Sequence, residues 1–177
     1  TEQLTSIKTA ATLRARLVER FGEALEIDGE RWLAFPTPVA LAAAEPADLR
    51  ALGLLGTKAR CIVSVARAVC DGTLELPALA RAPVPTIARM LGAINGIGPW
   101  TIAYVLARGF GRHELVPEGD VALRAAVAQH YGRPAATDKD VKEVLAPYAE
   151  WKGLAAFFLI VDYAIARYRI LQPALPV

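Results

Sequence analysis

Between Leu91 and Thr101 the chain must reverse direction, and this stretch constrains the fold more than any other. Leu91-Gly92-Ala93-Ile94-Asn95-Gly96-Ile97-Gly98-Pro99-Trp100-Thr101 reads as the end of one helix, a glycine hairpin over 94–98 and the start of a second helix. Gly96 and Gly98 allow a tight turn where a Cβ would clash. Pro99 suits a first helical position, because its fixed φ and missing N–H cost nothing there. The N–H groups that open the second helix have no partner inside it and lie at the positive end of its dipole, so they form an anion site. A Gly-x-Gly before a helix is also an ordinary helix connection. A lone carboxylate, Asp120, follows shortly after.

With 177 residues the chain is long enough for one compact domain or two small lobes. A net charge of only +2 does not by itself announce a polyanionic partner. If DNA is bound, backbone N–H groups and a few placed arginines must grip it more than a general field. Cys61 and Cys70 lie nine apart on one expected helix and read as buried thiols of a reducing compartment. Two cysteines are too few for the four ligands of an iron–sulfur cluster, and His113 and His130, the only histidines, make no zinc constellation. No secretory signal is visible and no unbroken apolar run spans a bilayer, so a cytoplasmic protein without a membrane partner is expected.

Apolar periodicity near 3.6 predicts an all-α fold. Expected helices are Ser6–Phe21, two short ones opened by Thr37-Pro38 and Glu45-Pro46, and Thr57–Cys70 with Ile62, Val65, Ala66 and Val69 on one face. Pro85–Ala93 and Pro99–Gly109 follow, then a helix from Asp120 to about Tyr131. One more runs from Thr137, with Asp140 completing a capping box, to Ala149 across or around Pro147. The last, about Lys152 to Leu171, is apolar on nearly every side over Leu154–Ile165 and is expected to be buried. Asp28-Gly29 between Leu25-Glu26-Ile27 and Arg31-Trp32 suggests a small β-hairpin near residues 25–33. The expected division is a lobe over 1–112 and a second over 113–177.

Asn95-Gly96-Ile97-Gly98-Pro99-Trp100-Thr101-Ile102-Ala103-Tyr104 followed by Pro117-Glu118-Gly119-Asp120 resembles the helix-hairpin-helix DNA glycosylase superfamily. Phe35-Pro36-Thr37-Pro38, Leu52-Gly53 and Lys58-Ala59-Arg60 resemble its AlkA-type 3-methyladenine branch. The resemblance implies a monomer that excises alkylated purines such as 3-methyladenine and 7-methylguanine from double-stranded DNA, with Asp120 in a cleft between two lobes. It also implies that N-terminal parts of the family are missing from this chain. A helix-hairpin-helix module that only holds duplex DNA is the alternative.

Breaking an N-glycosidic bond builds positive charge on the sugar, which a fixed carboxylate stabilises. Asp120 suits that role and also suits a helix cap. Trp100 and Tyr104, four apart on one helical face, suit either the wall of a base pocket or core packing. A cationic methylpurine stacks well on aromatic faces and leaves readily. Relatives that also cut the backbone are implied to carry a lysine nucleophile where this chain has Trp100. An indole forms no Schiff base, so the resemblance implies a monofunctional enzyme. On the last helix the aromatic pair of the AlkA-type pocket is matched by Leu159-Ile160-Val161, leaving Phe157, Phe158 or Tyr163 to compensate. Gln3 and Leu4 resemble the loop that wedges the duplex, although a leucine before a helix is also a hydrophobic staple. Gly96, Ile97, Gly98 and Thr101 would meet phosphates, and the carbonyls of Gly92, Ile94 and Ile97 would hold a structural monovalent cation; no other cofactor is expected.

Overall fold

The structure, a computed structural model, describes residues 7–168, so the expected wedge at Gln3 and Leu4 lies outside the described residues. The fold is mostly helical, with one two-stranded antiparallel hairpin. The chain forms two compact units, 1–97 and 98–177.

The first unit opens with α1 (Ile7–Phe21), followed by β1 (Ala24–Ile27) and β2 (Glu30–Leu33). Asp28 and Gly29 both take positive φ, 53° and 78°, as a primed two-residue turn requires. Two short helices come next, α2 (Pro38–Ala42) and α3 (Pro46–Ala51). Each carries proline in its first turn. The Thr37 hydroxyl caps α2 by accepting from Ala40 N, and Glu45 with Asp48 makes a capping box on α3. These helices and α1 pack around α4 (Gly56–Cys70) through a core of Leu13, Leu17, Leu41, Leu49 and Val63.

The buried face of α4 is Ala59, Val63 and Ala66 with Ile62 packed against the same core, so of the expected face Ala66 and Ile62 turn inward while Val65 and Val69 are only partly buried. Both faces of this helix carry small apolar residues, and burial follows the side that meets α2 and α3. The cysteines also depart from expectation, Cys61 being half-buried and Cys70 exposed. A helix absent from the sequence reading, α5 (Leu76–Arg81), is capped by the Glu75 carboxylate, which accepts from Ala78 N at 2.7 Å. The unit closes with α6 (Val84–Gly92) and the turn in which Ile97 N donates to the Ile94 carbonyl at 3.0 Å. Gly96 sits at φ 97°, and a Cβ there would lie 3.1 Å from that of Cys61.

The second unit begins with α7 (Pro99–Tyr104), which widens into a π-helical turn over Val105–Gly109, where Phe110 N reaches the Val105 carbonyl at 3.1 Å. It continues with α8 (Val121–His130), α9 (Asp138–Leu145), a 3₁₀ segment over Ala146–Trp151 and α10 (Lys152–Tyr168). Leu123, Val127, Val141, Leu145 and Ala156 form its core. The expected helix across Pro147 is broken, because Ala149 takes φ 47°, ψ −120°. The last helix is not buried all round: its inner side packs on α8, while Phe158 is 63% exposed.

By length and composition alone, Asp138–Arg167 is long and apolar enough to cross a bilayer, contrary to the sequence expectation. It is not one straight rod. It breaks after Leu145 and at Ala149, and the 17 residues of α10 rise only about 25 Å.

Candidate active site

The polar centre of the second unit is Asp120, whose position follows from the residues before it. Gly119 takes φ 77°, a conformation glycine adopts freely, and turns the chain so that Asp120 becomes the N-cap of α8. One carboxylate oxygen, Oδ1, accepts from Leu123 N at 2.9 Å. The other, Oδ2, accepts from the Trp100 indole Nε1–H at 2.8 Å and from the Tyr104 hydroxyl at 3.4 Å. Asp120 is only 7% exposed and is the one buried charged residue among those described.

Such burial is tolerable only because each oxygen meets donors and because the helix N-terminus favours negative charge. The capping reading of Asp120 therefore holds in the geometry, and it engages only one of the two oxygens. The acid caps α8 with one oxygen and keeps the other for the aromatic pair.

Trp100 and Tyr104 are brought together as their spacing predicts. Their rings stack with centroids 4.0 Å apart and planes 24° from parallel, and both are partly buried. They differ from core aromatics in donating to a carboxylate. Tyr104 also lines a narrow recess with Leu115, Pro117, Phe157, Ile160 and Arg108. The recess has a volume of only about 10 Å³, the size of a single water, so a larger group enters it only when a wall side chain moves.

Of the three candidates for the missing aromatic on α10, Phe157 faces the recess, with the Arg108 guanidinium 6.0 Å from its ring centroid, while Phe158 points outward. Ile160, from the Leu159-Ile160-Val161 stretch, supplies an aliphatic wall. Gly153 completes the lining. A Cβ there would lie 2.4 Å from the Leu115 carbonyl oxygen and 2.7 Å from that of His113, to which Gly153 N already donates at 2.7 Å.

The remaining candidates lie along the hairpin sequence. Gly98 is the N-cap of α7 without a side-chain cap, and its carbonyl accepts from Ile102 N at 3.0 Å, leaving the amides of Trp100 and Thr101 in the orphan positions of the first turn. The Ile94 carbonyl is engaged by Ile97 N. Its second lone pair and the carbonyls of Gly92 and Ile97 belong to the same short stretch and are neutral oxygens, a donor set suited to a weakly held monovalent cation.

Sequence reasoning missed two contributors. Asp138 accepts from Gly119 N at 3.3 Å, and Lys142 pairs with Glu118 at 3.0 Å, so α9 grips the turn that carries Asp120. Asp138 was visible only as an acidic residue in a first helical turn.

The second unit thus sets a buried acid at a helix start against two stacked aromatics that both donate to it. The family model described as HhH-GPD superfamily base excision DNA repair protein matches residues 1–150, and this chain belongs to that superfamily. The putative DNA-3-methyladenine glycosylase YfjP of Bacillus subtilis (strain 168) is 36% identical over 156 residues, covering 88% of this chain and 52% of the relative. The chain thus spans about half the length of the curated relatives it matches. A 3-methyladenine DNA glycosylase from Archaeoglobus fulgidus superposes with a TM-score of 0.79 at 27% identity, over 96% of this chain and 56% of that one. An 8-oxoguanine glycosylase/lyase from Clostridium acetobutylicum in complex with double-stranded DNA shares the fold, with a TM-score of 0.77 at 18% identity over 95% and 57% of the two chains.

Proposed function

We propose that this chain carries the catalytic part of a monofunctional DNA N-glycosylase that releases alkylated purines from double-stranded DNA in base excision repair. The observation that carries the reading is the buried Asp120 carboxylate, held between three donors. All three donate to the carboxyl oxygens, so the acid is held oriented for the reaction. As the base leaves, charge grows on the deoxyribose, and an ion pair at roughly 4 Å with an effective dielectric near 20 is worth about 4 kcal/mol, or about a thousandfold in rate.

A 3- or 7-methylated purine is already cationic and departs without a strong general acid, which suits a site built around one acid. Water, steered by the same carboxylate, completes hydrolysis. Lyase chemistry would need an amine nucleophile. At the position that donates to Asp120 this chain has the indole of Trp100, which offers no amine.

Reaching the sugar requires the nucleotide to leave the helix stack. Tyr104, Phe157 and Trp100 then give the extruded base aromatic surface, with wall movement around the narrow recess as the gating step. The amides of Gly96, Gly98 and Thr101 meet duplex phosphates, while Ile97, whose own N–H is held by the Ile94 carbonyl, shapes the turn between them. A monovalent cation on the Gly92, Ile94 and Ile97 carbonyls would add positive charge facing the backbone.

The test is incubation of the chain with methylated duplex DNA and chromatographic identification of released bases, with borohydride trapping run in parallel. Free 3-methyladenine or 7-methylguanine without a trapped protein–DNA adduct is expected. Duplex binding with no base released would instead define a noncatalytic module, and a trapped adduct would refute the monofunctional mechanism.

A further inference from the structure

We propose that Asp138 is a positioning residue for Asp120, acting through the backbone of the turn that presents it; the proposal deepens the preceding reading and rests on Asp120 doing the chemistry. The turn Pro117-Glu118-Gly119-Asp120 has little of its own to hold it. Its internal hydrogen bond, Asp120 N to the Pro117 carbonyl, is long at 3.4 Å, and Gly119 at φ 77° has open space where a Cβ would stand. Pro117 and Asp120 at its ends are buried, but the exposed tip between them, Glu118-Gly119, has neither packing nor a strong turn bond.

What fixes it comes from α9. Asp138 Oδ1 accepts from Gly119 N at 3.3 Å and from Arg124 Nη1 at 3.2 Å. Gly119 immediately precedes Asp120, and Arg124 lies one turn beyond it, its own N–H donating to the Asp120 carbonyl at 3.1 Å. A single oxygen therefore ties the chain on both sides of the candidate catalytic residue. Lys142, one turn further along α9, holds the neighbouring Glu118 at 3.0 Å.

The anchor is itself anchored. Thr137 and Asp140 form a capping box at the start of α9, and Arg133 bridges Asp140 at 2.9 Å and Glu143 at 2.8 Å. Because the Asp138 side chain is 47% exposed, its ion pair with Arg124 adds little to global stability. Its value lies in direction. The Asp120 oxygens must meet three donors at once, and a shift of about 1 Å in a catalytic group costs on the order of a hundredfold in rate.

The alternative role for Asp138, favouring the α9 dipole as an acidic residue in the first turn, needs its charge and not its link to Gly119. Asp138→Asn and Asp138→Ala separate the two. The amide oxygen of asparagine still accepts from Gly119 N while its charge is gone; alanine loses both.

The experiment uses the full chain and two readouts. In single-turnover base release, Asp138→Ala is expected to slow the chemical step roughly 10- to 100-fold with duplex affinity within about twofold, and Asp138→Asn to restore most of the rate. Independently of activity, the Trp100 indole N–H resonance, assigned with Trp100→Phe, reports the contact with Asp120. It should shift and exchange faster in Asp138→Ala, and stay close to wild type in Asp138→Asn. An indole resonance unmoved by Asp138→Ala, or an asparagine variant no better than alanine, would overturn the positioning role. A responsive indole in a wild-type protein that releases no base would leave the brace standing and defeat the glycosylase reading alone.

Discussion

Asp120→Asn is usually regarded as a gentle substitution, an isostere that removes charge and leaves shape. In this site it cannot be gentle. Leu123 N on one oxygen and Trp100 Nε1 on the other are both donors, at 2.9 and 2.8 Å, and neither can reverse its role. Whichever way the amide is turned, its NH₂ faces an N–H. Only the Tyr104 hydroxyl, at 3.4 Å, can rotate to accept.

The variant should therefore lose about a thousandfold in base release, from the removed charge at roughly 4 Å. It should also lose about 1–3 kcal/mol of stability from the buried donor–donor conflict. For a chain of this size that is a fall in Tm on the order of 5 °C. Single-turnover release, thermal melting and fluorescence anisotropy on a fluorescent duplex measure the three quantities separately, with DNA affinity nearly unchanged. In the double variant Trp100→Phe with Asp120→Asn, one offending donor is gone. Its stability should exceed the sum of the single effects by about 1 kcal/mol while the rate stays low. Undiminished release by Asp120→Asn would remove the acid from the mechanism, and strict additivity in the double variant would mean that the indole bond is not formed.

Trp100→Ala removes a stacked ring and an Asp120 donor together, so release of damaged bases should fall at least about tenfold while undamaged-duplex affinity holds within about twofold; the reverse pattern in paired kinetic and binding assays would return the ring to a packing role. Gly153→Ala forces a methyl against two carbonyl oxygens of the 113–115 backbone and should cost about 2 kcal/mol or more in urea unfolding, since backbone cannot step aside as a side chain can. The Thr137 hydroxyl and backbone, with Arg133, hold the Asp140 carboxyl well below the usual carboxylate range. A depressed carboxyl stabilises the fold above its unfolded value near 4, and that contribution fades as pH falls toward the depressed value. The stability gap between wild type and Asp140→Asn should thus be widest near pH 7 and narrow below about pH 4 in melts; a gap constant with pH would contradict it.

Much of this arrangement could be read from residues whose local chemistry admits one answer. Thr37-Pro38, Glu45-Pro46 and the Thr137–Asp140 box announce helix starts because their side chains satisfy orphan amides within three residues. Asp28-Gly29 announces its turn for a similarly local reason. Trp100 and Tyr104 came together as their spacing of four suggested, although that spacing does not say that the two rings would stack and share one oxygen of Asp120. What stayed illegible depends on neighbours distant in sequence. Whether Val63 or Val65 turns inward on α4 is decided by α2 and α3, and the Asp138 link spans nineteen positions. The helix Leu76–Arg81 is too short for periodicity to reveal.

The wide turn at Val105–Gly109 amounts to one surplus residue lodged in a helix. Deleting a residue there would let the backbone close into ordinary pitch without tearing. The stripe that carries Trp100 and Tyr104 lies upstream and would keep its phase, and Phe110 would arrive nearly in register, because five residues of a wide turn advance the chain about as far round the axis as four at ordinary pitch. The wide turn is therefore the place where the approach to Asp120 has slack in its residue count. A single-codon deletion between Trp100 and Tyr104 meets no such slack and would turn the two rings apart by about 100°.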